Sequence, residues 1–346
     1  MHKDNVSIAQ RVKDLIEIPS PSGYTGRLSA WLKQQVRRLG LDIIASHRDS
    51  FLVHLPGRKG RFVPFVSAHF DTLGAMVSEL REKGRVAFSP VGYYHLSVVE
   101  NENVTVMTHS GKVFRGTIMN CKPTTHVYTR QDLDAKRTLA NMEVRLDVAA
   151  NSKDDLKALG IGVGDFICLD PRFEHTDTGF IKSRFLDDKT GVAILLENLA
   201  HLSVLPEQER CEAYFHFSDL EEIGYGANVH VPQACNLFLA VDMGAVGKGL
   251  ETDEFTVSIC AKDAFVPYSH TVVAHLVQLA QADGLDYAVD VFPHYGSDII
   301  PALNAGFGGW FALFGPGVSA SHSYERTHDK GLYNAARLLY LLLTQE

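Results

Sequence analysis

Histidines and paired acids occur in this chain where apolar, strand-like runs end. His69-Phe70-Asp71 follows the apolar run 62–68, and Glu221-Glu222 follows the alternating run 212–220. An imidazole at a strand end with an acid two residues on suits a metal ligand and its orienting acid, since residues i and i+2 share a strand face. Two neighbouring acids are costly to bury unless a cation lies beside one. If the pair is extended, its side chains point opposite ways, so one acid could bind metal while the other faces substrate as a general base.

Three further patterns lie at a helix start, at a strand end and in a late polar segment. They are Asp187-Asp188 before the apolar helix predicted at 191–202, Asp242 at the end of the strand 237–241, and the late histidines His322 and His328. Taken singly, each has an ordinary structural explanation, such as helix capping, a turn acid or a polar loop. Taken together, they place polar side chains at the carboxyl ends of α/β strands, where such folds bind their ligands. Histidines and carboxylates without a thiolate fit a pair of borderline or hard divalent ions.

The elements that must position these side chains alternate between helices and apolar strands in two separated stretches. Residues 1–75 and 173–346 show this alternation, with helices predicted at 7–18, 27–39, 271–282 and 333–343. Between them, residues 76–172 show short β-like segments separated by turn residues. We therefore predict an α/β fold, a mixed sheet flanked by helices, with an inserted small β-barrel domain.

Composition narrows the class of protein. The chain has 346 residues, 45% of them hydrophobic and 21% charged, which is typical of a globular protein with a sizeable core. A net charge of −8 without any basic run argues against nucleic acid or an anionic membrane as partner. The five cysteines are scattered, so neither a disulfide framework nor a thiolate zinc site is expected. The sequence shows no apolar signal segment, and we expect a cytoplasmic protein.

The order H-x-D, D-D-x-x-G, E-E-x-G, V-D and a late histidine resembles the tetrahedral (glutamyl or deblocking) aminopeptidases, peptidase family 42, which are co-catalytic dinuclear metallopeptidases. The resemblance extends to the insert, where Lys122-Pro123-Thr124-Thr125-His126 is similar to that family's K-P-P-H stretch. It implies a zinc-aminopeptidase-like catalytic domain, an inserted domain for dimerisation or gating, and a homo-oligomer. It also implies two divalent metal ions per subunit, zinc before cobalt or manganese.

The resemblance assigns five metal ligands: His69, Asp187, Glu222, Asp242 and His322. His69 and Asp242 would hold one ion. Glu222 and His322 would hold the other, and Asp187 would bridge the two.

Glu221 matches the family's catalytic glutamate, and Asp71 matches the acid that orients the first histidine ligand. For the last ligand, His322 precedes a serine and fits the family's context better than His328 does, although no arginine precedes it. Asp298 lies in a turn similar to the family's G-T-D turn, which implies a place near the site.

The chain departs from the family pattern at Thr72, Leu73 and Lys189, and its segment 320–328 looks closest to a divergent branch associated with the osmoprotectant N-acetylglutaminylglutamine amide. The expected function is aminopeptidase activity on short peptides, with a metal-bridging water as nucleophile and Glu221 as general base. The alternatives are a metal-dependent amidohydrolase of an acylated dipeptide amide and a non-catalytic, metal-stabilised assembly module. Glycoside hydrolysis by paired carboxylates would leave the histidines without a role.

Overall fold

A computed structural model describes residues 7–345 of the protein. The α-helices are α1 (Ile8–Ile16), α2 (Gly26–Arg38), α3 (Arg130–Leu133), α4 (Lys153–Leu159), α5 (Leu186–Leu202), α6 (His270–Asp283), α7 (Ile299–Asn304) and α8 (Asp329–Thr344). The strands are β1 (Ile43–His47), β2 (Ser50–Leu55), β3 (Pro64–His69), β4 (Gly74–Arg81), β5 (Arg85–Val91), β6 (Asn103–Met107), β7 (Val113–Asn120), β8 (Met142–Leu146), β9 (Phe166–Leu169), β10 (Glu174–His175), β11 (Phe180–Ser183), β12 (Ala213–Ser218), β13 (Leu237–Val241), β14 (Gly244–Ala245), β15 (Val257–Lys262), β16 (Tyr287–Val291), β17 (Trp310–Val318) and β18 (Glu325–His328).

The chain forms two compact units. One unit ends at Asp71 and resumes at Arg172, and the other is Thr72–Pro171. The sequence places the insert at 76–172, so the observed unit begins a few residues earlier. The first unit carries the α/β alternation, and the second carries the short strands.

The main sheet of the first unit has nine strands within the described residues, in the order β1-β2-β12-β3-β13-β17-β15-β16, with β14 paired to β17. The central strands β12, β3, β13 and β17 run parallel to one another. The pairs β1–β2, β2–β12 and β15–β17 are antiparallel, so the sheet is mixed. Parallel neighbours bring their carboxyl ends to one edge of the sheet, and this edge carries the predicted site.

Strand β13 shows how the core is built on both faces of this sheet. Leu239 and Val241 belong to an apolar cluster that includes residues of α1, α5 and α8, whereas Phe238 and Ala240 belong to a second cluster that includes α7. Successive residues of a strand point to opposite faces, and a strand buried on both faces is apolar throughout. Helices therefore cover both faces of the sheet.

The inserted unit is a closed antiparallel barrel in the order β4-β5-β8-β7-β6-β9. Its fully buried side chains are mainly β-branched: Val77, Val86, Val104, Val106, Ile118, Val144 and Ile167. Closure pairs every barrel strand on both sides and leaves no free strand edge. The predicted fold class, a mixed α/β sheet with an inserted small β-barrel, is confirmed.

Short elements differ from the sequence expectation. Strands β10, β11 and β18 form a three-stranded antiparallel sheet that no hydrophobic pattern indicated, and β18 occupies part of the segment expected to be a polar loop. Glu221–Ile223 is a 3-10 turn, so the condition under which alternation along a strand would separate the two glutamates, an extended pair, is not met. Within residues 7–345, no helix combines the length and apolarity needed to cross a membrane.

Candidate metal centre

The carboxyl ends of β12, β3 and β13 form the floor of the candidate site. These three strands are neighbours and parallel, and Ser218 at the end of β12 lies opposite His69 at the end of β3. Asp242 follows the last residue of β13. Polar side chains that are distant in the sequence therefore meet at one edge of the sheet.

His69 lies at the centre of this group and is buried. Its Nε2 atom is 3.2 Å from Asp187 Oδ1 and 3.5 Å from Glu221 Oε2. Its Nδ1 atom is 3.1 Å from the main-chain oxygen of Asp71 and 3.5 Å from that residue's carboxylate. Burial alone would lower the pKa of His69, but Glu221, Asp187 and Asp71 together raise it well above its usual value. Three potential metal-ligand atoms, one each from His69, Asp187 and Asp242, lie within 4.8 Å of one another.

Asp187 lies between the two histidines predicted to bind metal. Its Oδ1 atom faces His69 Nε2, and its Oδ2 atom is 3.5 Å from His322 Nε2 and accepts a hydrogen bond of 2.8 Å from Ser321 Oγ. The backbone at the start of α5 makes this placement possible, because Asp187 has a non-helical ψ of 109° and extends away from the helix axis. Burial would raise the pKa of Asp187, but the hydrogen bond with His69 and the nearby His322 lower it.

The adjacent Asp188 has a different role. Its carboxylate accepts the backbone N–H of Gly191 at 3.0 Å and that of His69 at 3.3 Å, so it caps the regular part of α5 and ties that helix to the end of β3. Gly191 is needed here, because a Cβ atom would collide with the Val241 carbonyl and with the Asp188 carboxylate. Helix capping, one of the two interpretations of the acid pair, therefore describes Asp188 and not Asp187.

Glu221 and Glu222 diverge, although the turn that carries them is not extended. The Glu221 carboxylate approaches His69, and Glu222 Oε2 is 3.5 Å from His322 Nε2. The Asp71 carboxylate accepts the backbone N–H of Glu221 at 3.1 Å and that of Glu222 at 3.3 Å. Ser22 Oγ donates to the same carboxylate at 2.5 Å. Asp71 therefore holds the turn that carries both glutamates, a contact that the H-x-D pattern did not indicate.

The two late histidines have separate environments. His322 has a positive φ of 63°, and its backbone N–H donates to Glu325 Oε1 at 3.2 Å. Glu325 also accepts the backbone N–H of Leu186 at 2.5 Å and that of Asp187 at 3.2 Å, so one buried carboxylate joins the histidine turn to the start of α5. His328 instead lies at the start of α8, where Nδ1 caps the helix and Nε2 contacts the Thr178 carbonyl oxygen at 2.9 Å.

Two buried acids, Glu325 and Asp298, support the site from outside the predicted ligand set. Glu325 was noted in the family comparison only for its spacing from His322 and was given no role, because a single acid in a polar segment has no distinguishing pattern. Asp298 was identified only by resemblance, and it lies beneath the site: its carboxylate accepts Ser67 Oγ at 2.6 Å and Ser218 Oγ at 3.1 Å. It thereby links β3 to β12 just before the residues that carry the chemistry. Burial raises the pKa of Asp298 to about 6.

The electrostatics of the site favour a bound cation. Burial, together with neighbouring carboxylates, raises the pKa values of Glu221 and Glu222 well above their usual range. Burial and the Asp187 charge raise the pKa of Asp242 to about 7. Buried carboxylates that repel one another are stabilised by a nearby positive charge, and a divalent cation provides two.

The donor set also fits divalent metal. It contains imidazole nitrogens and carboxylate oxygens without sulfur, which suits zinc, cobalt and manganese. Ligands at about 2.0–2.1 Å from a tetrahedral ion are about 3.3 Å apart. The contacts of His69 with Asp187 and of His322 with Asp187 and Glu222, at 3.2–3.5 Å, have this spacing. The residues present therefore fit the metal ions that the resemblance implies.

A cavity of about 250 Å³ opens beside Glu221. Its walls are mainly apolar or backbone, and its lining residues are Glu221, Gly224, Tyr225, Phe265, Gly296, Ser297, Ile300, Pro301 and Asn304. Among these, Glu221 contributes the one ionisable carboxylate. The cavity is large enough for one amino-acid side chain next to the proposed reacting groups.

A mixed α/β sheet with histidines and carboxylates at its carboxyl edge defines a metallohydrolase-like protein. The chain matches the M42 glutamyl aminopeptidase family over residues 49–338 and belongs to that family. It is therefore a metallo-aminopeptidase, and the recognition from the sequence is confirmed.

Individual relatives agree with this assignment. The chain is 42% identical over 329 residues to the YhfE protein of Bacillus subtilis (strain 168), covering 95% of each chain. It is 25% identical over 210 residues to a glutamyl aminopeptidase of Lactococcus lactis subsp. cremoris, covering 57% of this chain and 56% of the relative.

Solved structures support the fold at low sequence identity. A TET aminopeptidase from Thaumarchaeota archaeon SCGC AB-539-E09 superposes with a TM-score of 0.88 at 18% identity, covering 98% of this chain and 97% of that one. The Pyrococcus horikoshii TET1 peptidase, which can assemble into a tetrahedron or a large octahedral shell, gives a TM-score of 0.85 at 21% identity. That match covers 98% of this chain and all of the other.

Proposed function

We propose that the protein releases N-terminal residues from short peptides at a site for two divalent cations. The observation that carries this proposal is the position of Asp187, which directs one carboxylate oxygen towards His69 and the other towards His322. A carboxylate between two imidazoles at these distances suits a bridging ligand. Asp242 would complete the site of His69, and Glu222 would complete that of His322.

The metal ions would polarise the scissile carbonyl and lower the pKa of a water molecule. Glu221 would take a proton from that water and return it to the leaving amine. Its carboxylate lies beside His69 and the cavity, which supports this role, and burial raises the pKa of Glu221 above the usual value of a glutamate. Asp71 would hold Glu221 in place through its backbone N–H, which supports a positioning role for this acid.

The cavity supports a preference for peptides with an apolar N-terminal side chain. Its apolar lining gains from excluding water, whereas a charged substrate side chain would lose hydration without a partner there. Zinc is the proposed metal, with cobalt or manganese as alternatives, because all three accept nitrogen and oxygen ligands.

The deciding experiment is Glu221→Gln. This variant keeps the size of the side chain but removes the base, so we expect kcat to fall by about 10²–10⁴-fold. Metal content, measured by inductively coupled plasma mass spectrometry, should stay within error of the unchanged enzyme. The exposed Glu174 provides the matched control, since Glu174→Gln should leave kcat and metal content unchanged.

Near-normal activity of Glu221→Gln would overturn the proposed mechanism. A panel of aminoacyl anilides, short peptides and acylated dipeptide amides, with and without chelator, identifies the substrate class. Turnover of acylated dipeptide amides alone would favour the amidohydrolase alternative. A metal-loaded protein that cleaves none of them would favour the assembly module.

Two broader expectations belong with this proposal. The tetrahedral and octahedral assemblies of the Pyrococcus horikoshii TET1 peptidase support a homo-oligomer for this chain, with the inserted unit Thr72–Pro171 as the proposed assembly or gating domain. Cytoplasmic localisation stays a prediction from the sequence.

A further inference from the structure

We propose that Phe265 determines which N-terminal residues the enzyme accepts, because its ring forms an apolar wall against the substrate side chain. This inference deepens the proposed function and rests on it. Glu221 and Phe265 line the same cavity of about 250 Å³. A peptide whose scissile bond lies at the base Glu221 therefore has the side chain of its first residue next to the ring. Phe265 selects the substrate and takes no part in proton transfer.

Phe265 is exposed although its side chain is large and apolar. It is 67% exposed, whereas Phe215, Phe238 and Phe314 on strands of the same unit are buried. Contact between an apolar ring and water costs free energy, which an apolar ligand placed against the ring recovers. Ligand cavities are lined mainly by apolar and aromatic side chains. An exposed ring in the wall of a cavity that also contains the proposed base is therefore suited to contact a substrate.

Hydrogen bonds hold the loop that carries Phe265 in place. Asp263 is buried, and its Oδ1 atom accepts the backbone N–H of Phe265 at 2.8 Å, while its Oδ2 atom accepts the hydroxyl of Tyr268 at 2.9 Å. The N–H of Ala264 donates to the main-chain oxygen of Tyr295 at 3.0 Å, which joins this loop to the next turn of the cavity wall. Because the loop is anchored on both sides of the ring, little conformational freedom of its backbone is lost when a substrate binds.

Gly296 provides the space that the Phe265 ring occupies. A Cβ atom on Gly296 would lie 2.7 Å from Cε2 and 3.2 Å from Cδ2 of the ring, so the ring lies directly against the glycine. The φ of Gly296 is not in the left-handed region, so the glycine is needed here for space and not for its backbone conformation. Gly296 also lines the cavity. The two residues therefore form one continuous part of the wall.

The test is Phe265→Ala, which removes the ring and widens the cavity. We expect the ratio of kcat/KM for leucyl anilide to that for alanyl anilide to fall by about 10-fold, since one methylene in an apolar pocket discriminates by about 10–200-fold. The loss should appear mainly as a larger KM for the leucyl substrate, because the wall contacts the side chain equally in the ground state and the transition state. The alanyl substrate has one methyl group and should change by less than about 3-fold.

A second readout does not depend on turnover. Leucinol and alaninol carry the same side chains but no scissile amide, and calorimetry measures their binding. Affinity for leucinol should fall by about 10-fold in Phe265→Ala, whereas affinity for alaninol should stay within about 3-fold. Phe265→Leu keeps an apolar side chain in the wall, so its leucyl-to-alanyl ratio should stay within about 3-fold of the unchanged enzyme.

Gly296→Ala tests the contact between the two residues. The new methyl group displaces the Phe265 ring from its position, so the leucyl-to-alanyl ratio should fall by about 3–10-fold. The same substitution in the Phe265→Ala background has no ring to displace and should leave the ratio unchanged. Residues in contact show such non-additive effects, and additive effects would contradict a shared wall.

Controls separate substrate selection from a structural effect. Tyr333→Ala on α8 removes an aromatic side chain that is 59% exposed and lies outside the cavity lining, so its leucyl-to-alanyl ratio should match that of the unchanged enzyme. Metal content should be the same in all variants. Because Phe265 is largely exposed, the midpoint of thermal unfolding should change little in Phe265→Ala.

The outcomes distinguish this inference from the function on which it rests. If Phe265→Ala keeps the leucyl-to-alanyl ratio and the leucinol affinity while Glu221→Gln is inactive, the role of Phe265 is wrong and the hydrolase stands. An equal loss on both anilides would also overturn the inference, because it would show a structural effect. If Glu221→Gln remains active, the proposed mechanism itself fails.

Discussion

The neighbouring acids Asp187 and Asp188 have different roles because the backbone directs their side chains to different surroundings. Asp187 points into the site and contacts both histidines, whereas Asp188 accepts backbone N–H groups. Asp71 contributes mainly through the turn it holds, since its carboxylate accepts the N–H groups of Glu221 and Glu222. A residue's role here depends on which atoms surround its carboxylate and cannot be inferred from its type alone.

The positioning role of Asp71 leads to a prediction for Asp71→Asn. An asparagine presents an NH₂ group where one carboxylate oxygen accepts a hydrogen bond, so one backbone N–H near Glu221 loses its acceptor. We expect kcat to fall by about 10–100-fold, in line with losses of groups that orient a site. Steady-state kinetics and metal analysis check this. Asp14→Asn, at a half-buried position of α1, serves as control, and an unchanged kcat in Asp71→Asn would contradict the positioning role.

His216 is a buried histidine that the site does not use. Its Nδ1 atom is 3.0 Å from Ser67 Oγ, which donates to Asp298, so the imidazole is the donor in the first contact. Its Nε2 atom has no hydrogen-bond partner among the described residues, and the ring stacks on Phe65 at 5.1 Å. Burial, with a smaller effect of His230, lowers the pKa of His216 to about 3.

This shift predicts a loss of stability in acid. The pKa of His216 is depressed in the folded state, so the unfolded chain binds the proton more readily at every pH between about 3 and 6.5. Stability from this group is complete above about pH 6.5 and falls by up to about 1.4 kcal/mol per pH unit below it. In His216→Asn, urea unfolding between pH 7 and 4 should therefore show a shallower decline. The exposed His270→Asn should keep the original slope, and equal slopes in both variants would refute the assignment.

At the scale of elements, the start of α5 connects more of the site than any strand. Its first turn carries Asp187, whose side chain contacts His69. The Asp188 carboxylate accepts the backbone N–H of His69 at the end of β3, and Glu325, near the turn that carries His322, accepts the backbone N–H of Asp187. The residue after Asp188, Lys189, is fully buried, and its Nζ donates to the carbonyl oxygens of Leu15 at 3.0 Å and Ile18 at 2.8 Å. A cation at the carboxyl end of α1 gives the Ile18 carbonyl a donor and adds a further one to the Leu15 carbonyl, which also accepts the Ile18 N–H at 3.2 Å.

This contact predicts the effect of Lys189→Met. The methionine fills a similar volume but removes the ammonium donor of the Ile18 carbonyl and one of the donors of the Leu15 carbonyl, which costs about 1–3 kcal/mol. We expect the free energy of unfolding, measured in urea, to fall by this amount. The control is Lys13→Met in α1, where the lysine is partly exposed and pairs with Glu17 at 3.9 Å. A loss no larger than in that control would show that the buried ammonium contributes nothing net.

At the scale of the whole molecule, the chain divides its tasks between two units. The site described above is built from the α/β unit, and the barrel unit presents several large apolar side chains to solvent: Tyr93, Val113, Val127, Leu139 and Val163. Tyr93 is 81% exposed and Val127 is 73% exposed. The α/β unit also exposes large apolar side chains, among them Phe265 and Tyr333, so exposure alone does not single out the barrel unit, and its assembly role is a proposal.

The assembly proposal predicts a molar mass that is a multiple of 38.2 kDa in light scattering coupled to size-exclusion chromatography. A double variant, Tyr93→Asp with Val127→Asp, should shift the population towards smaller species, because charges are costly to bury at an interface. Ile44→Asp, which changes a half-exposed residue of the α/β unit, is the control. A monomer in the unchanged protein at micromolar concentration would contradict the proposal.

Much of this organisation follows from local patterns. Apolar strand runs ending in His69, Asp242 and the glutamate pair indicate a sheet edge with polar ligands, because parallel strands align their carboxyl ends. The small sheet β10-β11-β18 and the turn at Glu221–Ile223 escaped prediction because their strands and hydrogen bonds depend on partners far along the chain. Asp71 and Glu221 are 150 residues apart, and no local pattern encodes that contact.

The sequence by itself determined the family, the α/β fold with its β-rich insert and the set of residue types at the site, because these depend on periodicity and motif order. Tertiary structure alone decided their geometry. It placed His322 beside Asp187 and Glu222 and placed His328 at the start of α8. The physical reason is that distances between side chains depend on packing across the whole sheet, whereas motifs record only neighbours along the chain.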